Sequence, residues 1–207
     1  MPELTLYSMP SSGNSYKIRL LLAFLNQPYR HIGLEYGTEE LAACHEEGTL
    51  PLSRLPVLEL PNGTRLPESN AILCYLGEKT DWLPDAPILK AQTLAWMFWE
   101  QNQHEATIAV RASLLIYPHR KADATPERLA SLLNAGEIVL GQMEAHLSGQ
   151  EWLVGDSPTL ADIALFAYTH SAETRGGFEL AKFPRIMDWL ARFSALPNFV
   201  TLDEIPE

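Results

Sequence analysis

Residues 55–76 read LPVLELPNGTRLPESNAILCYL. Two β-prone runs, Leu55–Leu60 and Thr64–Leu66, flank Pro61-Asn62-Gly63, and the Asn-Gly pair supplies the positive backbone angles that a tight hairpin turn requires. Ser69 then stands where a helix N-cap is expected, followed by the apolar run Ala71–Leu76. The stretch therefore reads β-β-α. Pro56 adds a constraint: a proline cannot donate to a strand ladder, so it belongs at a strand start, an edge or a tight turn, often with a cis bond.

Towards the N-terminus the pattern extends. Leu4–Tyr7 is a short β-prone run, and the segment Ile18–Leu25 after it is too long and too leucine-rich for a strand, which predicts a helix buried on more than one side. Asn26-Gln27-Pro28 stops that helix, and Tyr29–Leu34 alternates as a half-buried strand does, giving a βαβ crossover and hence a parallel pair. Thr38–His45 is helical in pattern and leads into the hairpin. The first 80 residues thus form a β-α-β-α-β-β-α unit. Between its first strand and helix lie Ser11, Ser12, Gly13, Asn14 and Ser15; capping needs one of the polar four, Ser15 or Asn14, and Gly13 lets the backbone come close to a ligand.

Residues 81–87 are a polar connection with two prolines, and strand signals largely end after them. Residues 88–207 read as helices. Ile88 to about Tyr117 is one long helix; Thr125-Pro126 opens another, with an apolar stripe from Leu129 to Leu147; Pro184 to about Ala195 is the last. Thr159 and Asp162 form a capping-box pattern ahead of Ile163–Tyr168, a helix too apolar to lie on the surface.

Composition narrows the function. The chain has 207 residues, 46% of them hydrophobic, with no apolar stretch near the roughly 20 residues of a membrane span and no basic-then-apolar leader, so a soluble cytoplasmic protein is expected. A net charge of −11 opposes nucleic acid and anionic membrane as partners, and a small anionic ligand would need local donors such as helix N-termini or a single Lys or Arg. Cys44 and Cys74 are too few for a disulfide framework, and Cys44-His45 is too small a cluster for a metal site, so none is expected. Glu68 and Ser69 at a helix start suit the ammonium and carboxylate of an amino-acid zwitterion, and the backbone of Leu55, turned out by Pro56, suits a peptide-like ligand.

With L-P-V-L, L-P-E-S-N-A-I-L-C-Y-L and W-L-V-G-D-S-P-T-L-A-D-I-A-L-F in this order across the whole chain, the sequence resembles the cytosolic glutathione transferase family, in a bacterial form with a serine-type active site. The resemblance implies an α/β thioredoxin-like N-terminal domain that binds glutathione as co-substrate, an all-α C-terminal domain lining the second-substrate site, and a homodimer. It implies that Leu55, before Pro56, bonds the cysteinyl backbone of glutathione, that Glu68 and Ser69 hold the γ-glutamyl end, and that Arg54 lies near the glycyl end, with Ser53 and Lys17 as helpers. Ser12 falls at the catalytic position, with Ser11 adjacent and Asn14 able to donate instead. A thiol of pKa ~8.5 is mostly protonated at neutral pH, so the site must stabilise the thiolate. His104, Arg111 and Tyr117 are candidate contacts for a small electrophile or peroxide. Two other readings stay open: a non-catalytic ligand-binding or protein-interaction module of the same fold, and a glutathione-dependent isomerase of the maleylacetoacetate type, of whose Ser-Ser-Cys-Ser pattern this chain has only a partial match.

Overall fold

The computed structural model describes residues 3–205. β1 (Leu4–Ser8) and β2 (Tyr29–Gly33) run parallel, joined by α1 (Gly13–Phe24), with Leu4 opposite Tyr29 and Ser8 opposite Gly33. After α2 (Glu39–Glu46), β3 (Val57–Glu59) and β4 (Arg65–Pro67) form the hairpin, and β3 adds antiparallel to β1, giving a β2-β1-β3-β4 sheet. The turn closes as its sequence demands. Gly63 takes φ 83° and donates to the Leu60 carbonyl at 2.8 Å, and Thr64 N–H bonds the Asn62 side chain at 3.0 Å. β3 is shorter than the run Leu55–Leu60: it starts at Val57, and the Leu55-Pro56 peptide before it is cis.

α1 is buried from Ser15 through Leu22, which is the all-round burial expected of its leucines, and it carries Lys17 and Arg19 inside with them. α3 (Ser69–Gly77) packs along α1. The chain divides into two compact units, Met1–Glu78 with Pro197–Glu207, and Lys79–Leu196. This partition differs from boundaries at 80 and 88 in two ways. The connection sides with the helical unit, where Leu83 is buried and the Trp82 carbonyl accepts from Leu160 N–H at 2.8 Å, and the last residues return to the first unit. The first unit is thioredoxin-like; in the second, the regular elements among the described residues are all helices.

The expected single helix from 88 to 117 is a continuous coil of three parts. α4 (Pro87–Trp99) and α5 (Val110–Ile116) are joined by a ten-residue π-helical segment, Glu100–Ala109. Glu100, His104, Ile108 and Ala109 are its buried residues, and it packs on α6 (Pro126–Leu147) and α7 (Leu160–Thr169). α6 starts at the Thr125 cap, which accepts from Arg128 N–H at 3.2 Å. Gly136 on α6 admits the Phe178 ring so closely that a Cβ there would lie 2.4 Å from it. α8 (Ala172–Gly176) and α9 (Pro184–Ser194) complete the unit, and Glu144 of α6 caps α9 by accepting from the N–H groups of Arg185 and Ile186, each at 3.0 Å.

The capping box at α7 forms and does more than cap. Asp162 is fully buried; one oxygen accepts from Thr159 N–H at 2.8 Å and from its hydroxyl, the other from Leu153 N–H at 3.1 Å and Trp189 Nε1 at 3.0 Å. Burial pushes this carboxyl above the usual carboxylate range and the donors pull it back. One side chain thereby ties α7, the Leu153 loop and α9. Asp162→Ala strands these buried donors and is expected to cost about 4 kcal/mol in urea denaturation, with α9 the first element to lose amide protection.

Candidate active site

Strand register brings the three predicted segments together. Tyr7 lies opposite Val57, and Val57 opposite Pro67. The loop after β1, the Leu55-Pro56 turn before β3 and Glu68-Ser69 after β4 therefore leave the sheet at the same end.

In the loop after β1, each of the four small polar side chains has a different task. The N-cap of α1 is Ser12, which corrects the expectation of Ser15 or Asn14: its backbone is extended (φ −86°, ψ 130°) and its Oγ accepts from Ser15 N–H at 3.4 Å. Ser15 instead accepts from Met9 N–H at 3.0 Å. Ser11 donates its hydroxyl to Glu35 at 3.1 Å and its N–H to the same carboxylate at 3.3 Å. Asn14 Oδ1 accepts from the Ser69 hydroxyl at 3.1 Å, joining the N-termini of α1 and α3. The Ser12 hydroxyl proton has no acceptor among the described residues, and Ser12 lines a cavity of about 210 Å³ with Tyr36, His45, Ser53, Arg54 and Leu55.

Ser69 is the first residue of α3 rather than its cap. Glu68 occupies the cap position, makes no side-chain capping bond, and is held at φ 70°, ψ 113°, a conformation that costs a non-glycine residue about 1–3 kcal/mol. Leu52 and Ser53 also have positive φ, 57° and 51°. Lys17 is fully buried within α1 and does not line the cavity. Sequence reasoning did not single out Glu35, Tyr36 or His45 for this site. Glu35 and Tyr36 lie past a strand end in a loop with no pattern, and only the folded chain puts Glu35 against Ser11.

The helical unit uses its three predicted contacts differently. His104 is fully buried, with Nε2 2.9 Å from Thr169 Oγ1; that hydroxyl donates to the Leu165 carbonyl at 2.7 Å, so Nε2 is the donor to it. Arg111 donates to the Gly176 carbonyl at 2.7 Å and the Leu129 carbonyl at 2.5 Å, and lies over the Phe178 ring. Both side chains are spent on the interior of the unit. Tyr117 ends α5 beside His119, at the mouth of a mostly apolar hollow with Leu115, Ile116 and Lys121.

Two family models match the chain: "Glutathione S-transferase, N-terminal domain" over residues 6–83 and "Glutathione S-transferase, C-terminal domain" over residues 107–197. This protein belongs to the glutathione S-transferase family. A possible glutathione S-transferase from Rhodopseudomonas palustris has a similar structure, with 38% identity and a TM-score of 0.90 over 98% of this chain and 91% of that one. Among curated proteins, the Glutathione S-transferase-like protein LUC7 of Fusarium sp is 31% identical, over 90% of this chain and 86% of LUC7. The Disulfide-bond oxidoreductase YfcG of Escherichia coli K12 is 28% identical, over 93% of this chain and 90% of YfcG. The loop after β1, the cis turn and the α3 start of this transferase-family chain all fall within the N-terminal match.

The strain at Glu68 has a measurable sign. Glu68→Gly removes the Cβ clash at φ 70°, and after the entropy cost of glycine is expected to raise unfolding free energy by about 1 kcal/mol. Chemical denaturation of the unliganded protein measures it.

Proposed function

We propose that the protein is a glutathione transferase in which the Ser12 hydroxyl donates to the sulfur of bound glutathione. The observation that carries this reading is the division of labour at the start of α1. Ser11 is turned to Glu35, Ser15 to Met9 and Asn14 to Ser69, while Ser12 lies on the cavity wall beside Leu55 with a proton left to give. The backbone of Leu55 pairs with the cysteinyl part of the tripeptide, Glu68 and Ser69 hold the γ-glutamyl end, and Arg54, on the same wall as Ser12, receives the glycyl carboxylate. The strained Glu68 backbone supports this placement, since strain retained at one residue is characteristic of ligand sites.

Chemically, the thiol must lose its proton before it attacks. A hydroxyl donor and the N-terminal amides of α1 both favour the anion, and lowering a thiol pKa by ~2 units takes about 2.7 kcal/mol, within reach of one charge-assisted hydrogen bond and a helix end. Ser12 keeps its own proton throughout. The thiolate then forms a bond to an electrophilic carbon, expelling a leaving group, or to a peroxide oxygen, breaking the O–O bond so that glutathione sulfur is oxidised to the sulfenic acid while the peroxide is reduced and its other oxygen leaves, protonated, as the alcohol. The second substrate is a small electrophile, and the working protein is a cytoplasmic homodimer; exposed Ile88 and Phe98 on α4 support an apolar face for the second copy. YfcG, by its name, handles disulfides, but here Ser11–Ser15 contains no cysteine, so any such chemistry would run through the sulfur of glutathione.

The deciding measurement is the ultraviolet absorbance of bound glutathione thiolate against pH. Ser12→Ala is expected to keep retention on immobilised glutathione while raising the thiol pKa by about 2 units and lowering turnover at neutral pH by roughly 10- to 100-fold. An unchanged pKa would move the role to Ser11 or Asn14. Absence of retention in the wild type would leave a non-catalytic module as the surviving alternative.

A further inference from the structure

The last residues of the chain return to the first unit and close over α1. Tyr16 donates its hydroxyl to the Val200 carbonyl at 2.7 Å. Arg19, one turn on and 1% exposed, donates to the Leu202 carbonyl at 3.0 Å and reaches that of Glu204 at 3.5 Å, with its guanidinium over the Tyr16 ring. The same guanidinium nitrogen that meets Leu202 also donates to the Pro10 carbonyl at 3.0 Å. Burial pushes Arg19 below and Tyr16 above their ordinary ranges. The strap is tied off by Glu204, whose carboxylate accepts from Thr201 N–H at 2.6 Å.

Pro10 is a corner of the turn that presents Ser12. Ser12 N–H bonds the Met9 carbonyl at 3.0 Å, so Pro10 and Ser11 are the two central residues of a four-residue turn. Each is gripped from a different side, Ser11 by Glu35 and Pro10 by Arg19.

We propose that residues 197–205 form a positioning strap which, through Arg19, holds the Met9–Ser12 turn and so fixes where the Ser12 hydroxyl points. The argument is one of partners. A buried guanidinium needs its acceptors, and two of its three carbonyls come from the strap; without them Arg19 must turn towards water, and turning releases Pro10. Arg19 does not touch the cavity; its effect reaches Ser12 by way of the turn. The catalytic consequence rests on the reading of Ser12 given above, while the ordering of the turn does not.

Electrostatics gives the test its direction. The titratable groups that share the cavity wall with Ser12 are Tyr36, His45 and Arg54, with Glu35 acting through Ser11, and none belongs to the strap. A chain ending at Asn198 loses the side-chain carboxylates of Asp203, Glu204 and Glu207, so the deletion removes negative charge, which by field alone would favour the thiolate and lower the thiol pKa. Misplacing Ser12 does the opposite.

The experiment compares the wild type, a chain ending at Asn198, Tyr16→Phe and Arg19→Lys, each checked for fold by circular dichroism. Amide exchange at Ser11 and Ser12 reads the turn, and thiolate absorbance of bound glutathione against pH reads the consequence. In the shortened chain, exchange at both amides is expected to accelerate at least about tenfold and the thiol pKa to rise by about one unit, and a synthetic 197–207 peptide is expected to restore both. Tyr16→Phe, which loosens the Val200 tether, and Arg19→Lys, which has no fork to bridge Pro10 and Leu202, are expected to give smaller shifts of the same sign. They decide the matter if the shortened chain does not fold. Unchanged exchange at Ser11 and Ser12, or an unchanged or lowered thiol pKa in folded variants, would overturn the strap. A wild type that binds no glutathione would instead overturn the proposed function, and amide exchange would still judge the strap.

Discussion

The site depends on one alignment: Tyr7 across from Val57 and Val57 across from Pro67. Side chains along a strand alternate faces with a period of two, so a slip of one residue would put Leu58 on the opposite face from Leu6 in the first pairing, or from Leu66 in the second, and leave one of each pair outside the core. Burial of these leucines therefore holds the register, and the register delivers the loop after β1, the cis turn and the start of α3 to one end of the sheet. The polar site inherits its geometry from apolar packing.

What the register brings together, a small set of polar contacts then sorts. Four short side chains of similar reach follow β1, and any of them could cap a helix or donate to a ligand. The partners that arrive from elsewhere distinguish them: Glu35 from the segment after β2, Ser69 from α3, and the Met9 amide from the loop itself. The cap falls to Ser12 because its extended backbone precedes the first helical residue, and capping uses only its oxygen. A capping hydroxyl can accept from the helix and still donate outward. Structure and chemistry are thus compatible in one residue.

How much was legible in the sequence follows from how local each cause is. The Asn62-Gly63 turn, the Thr159–Asp162 box and the Pro-led starts of α6 and α9 are set by neighbours within a few residues, and the chain states them openly. The convergence of Ser12, Leu55 and Glu68-Ser69 was legible only through the order of elements and a family resemblance, because the pairing that joins them spans some fifty residues. The π-helical turn of Glu100–Ala109, the interior duties of His104 and Arg111, and the return of the tail to α1 answer to partners far along the chain: Thr169, Gly176 and Leu129, and Val200 to Glu204. A histidine or arginine on an apolar helix face reads alike whether it meets a substrate or a carbonyl.

Charge makes this distribution intelligible. With a net charge of −11, the protein gains nothing from its overall field in holding an anionic tripeptide, so attraction must come from oriented local dipoles and individual cations. Two cations of the first unit, Lys17 and Arg19, are nevertheless buried in α1, and neither lines the cavity beside Ser12. For Arg19 the acceptors are backbone carbonyls rather than carboxylates, an arrangement that offsets desolvation through geometry and makes the side chain useful as a multi-point clasp. The Asn14–Ser69 bond does comparable work between the two helix starts, aligning two sets of unpaired N–H groups without adding a charge. An acidic protein can therefore spend its buried polar contacts on the placement of donors; in the proposed site the attraction itself would fall to helix ends, one hydroxyl and Arg54.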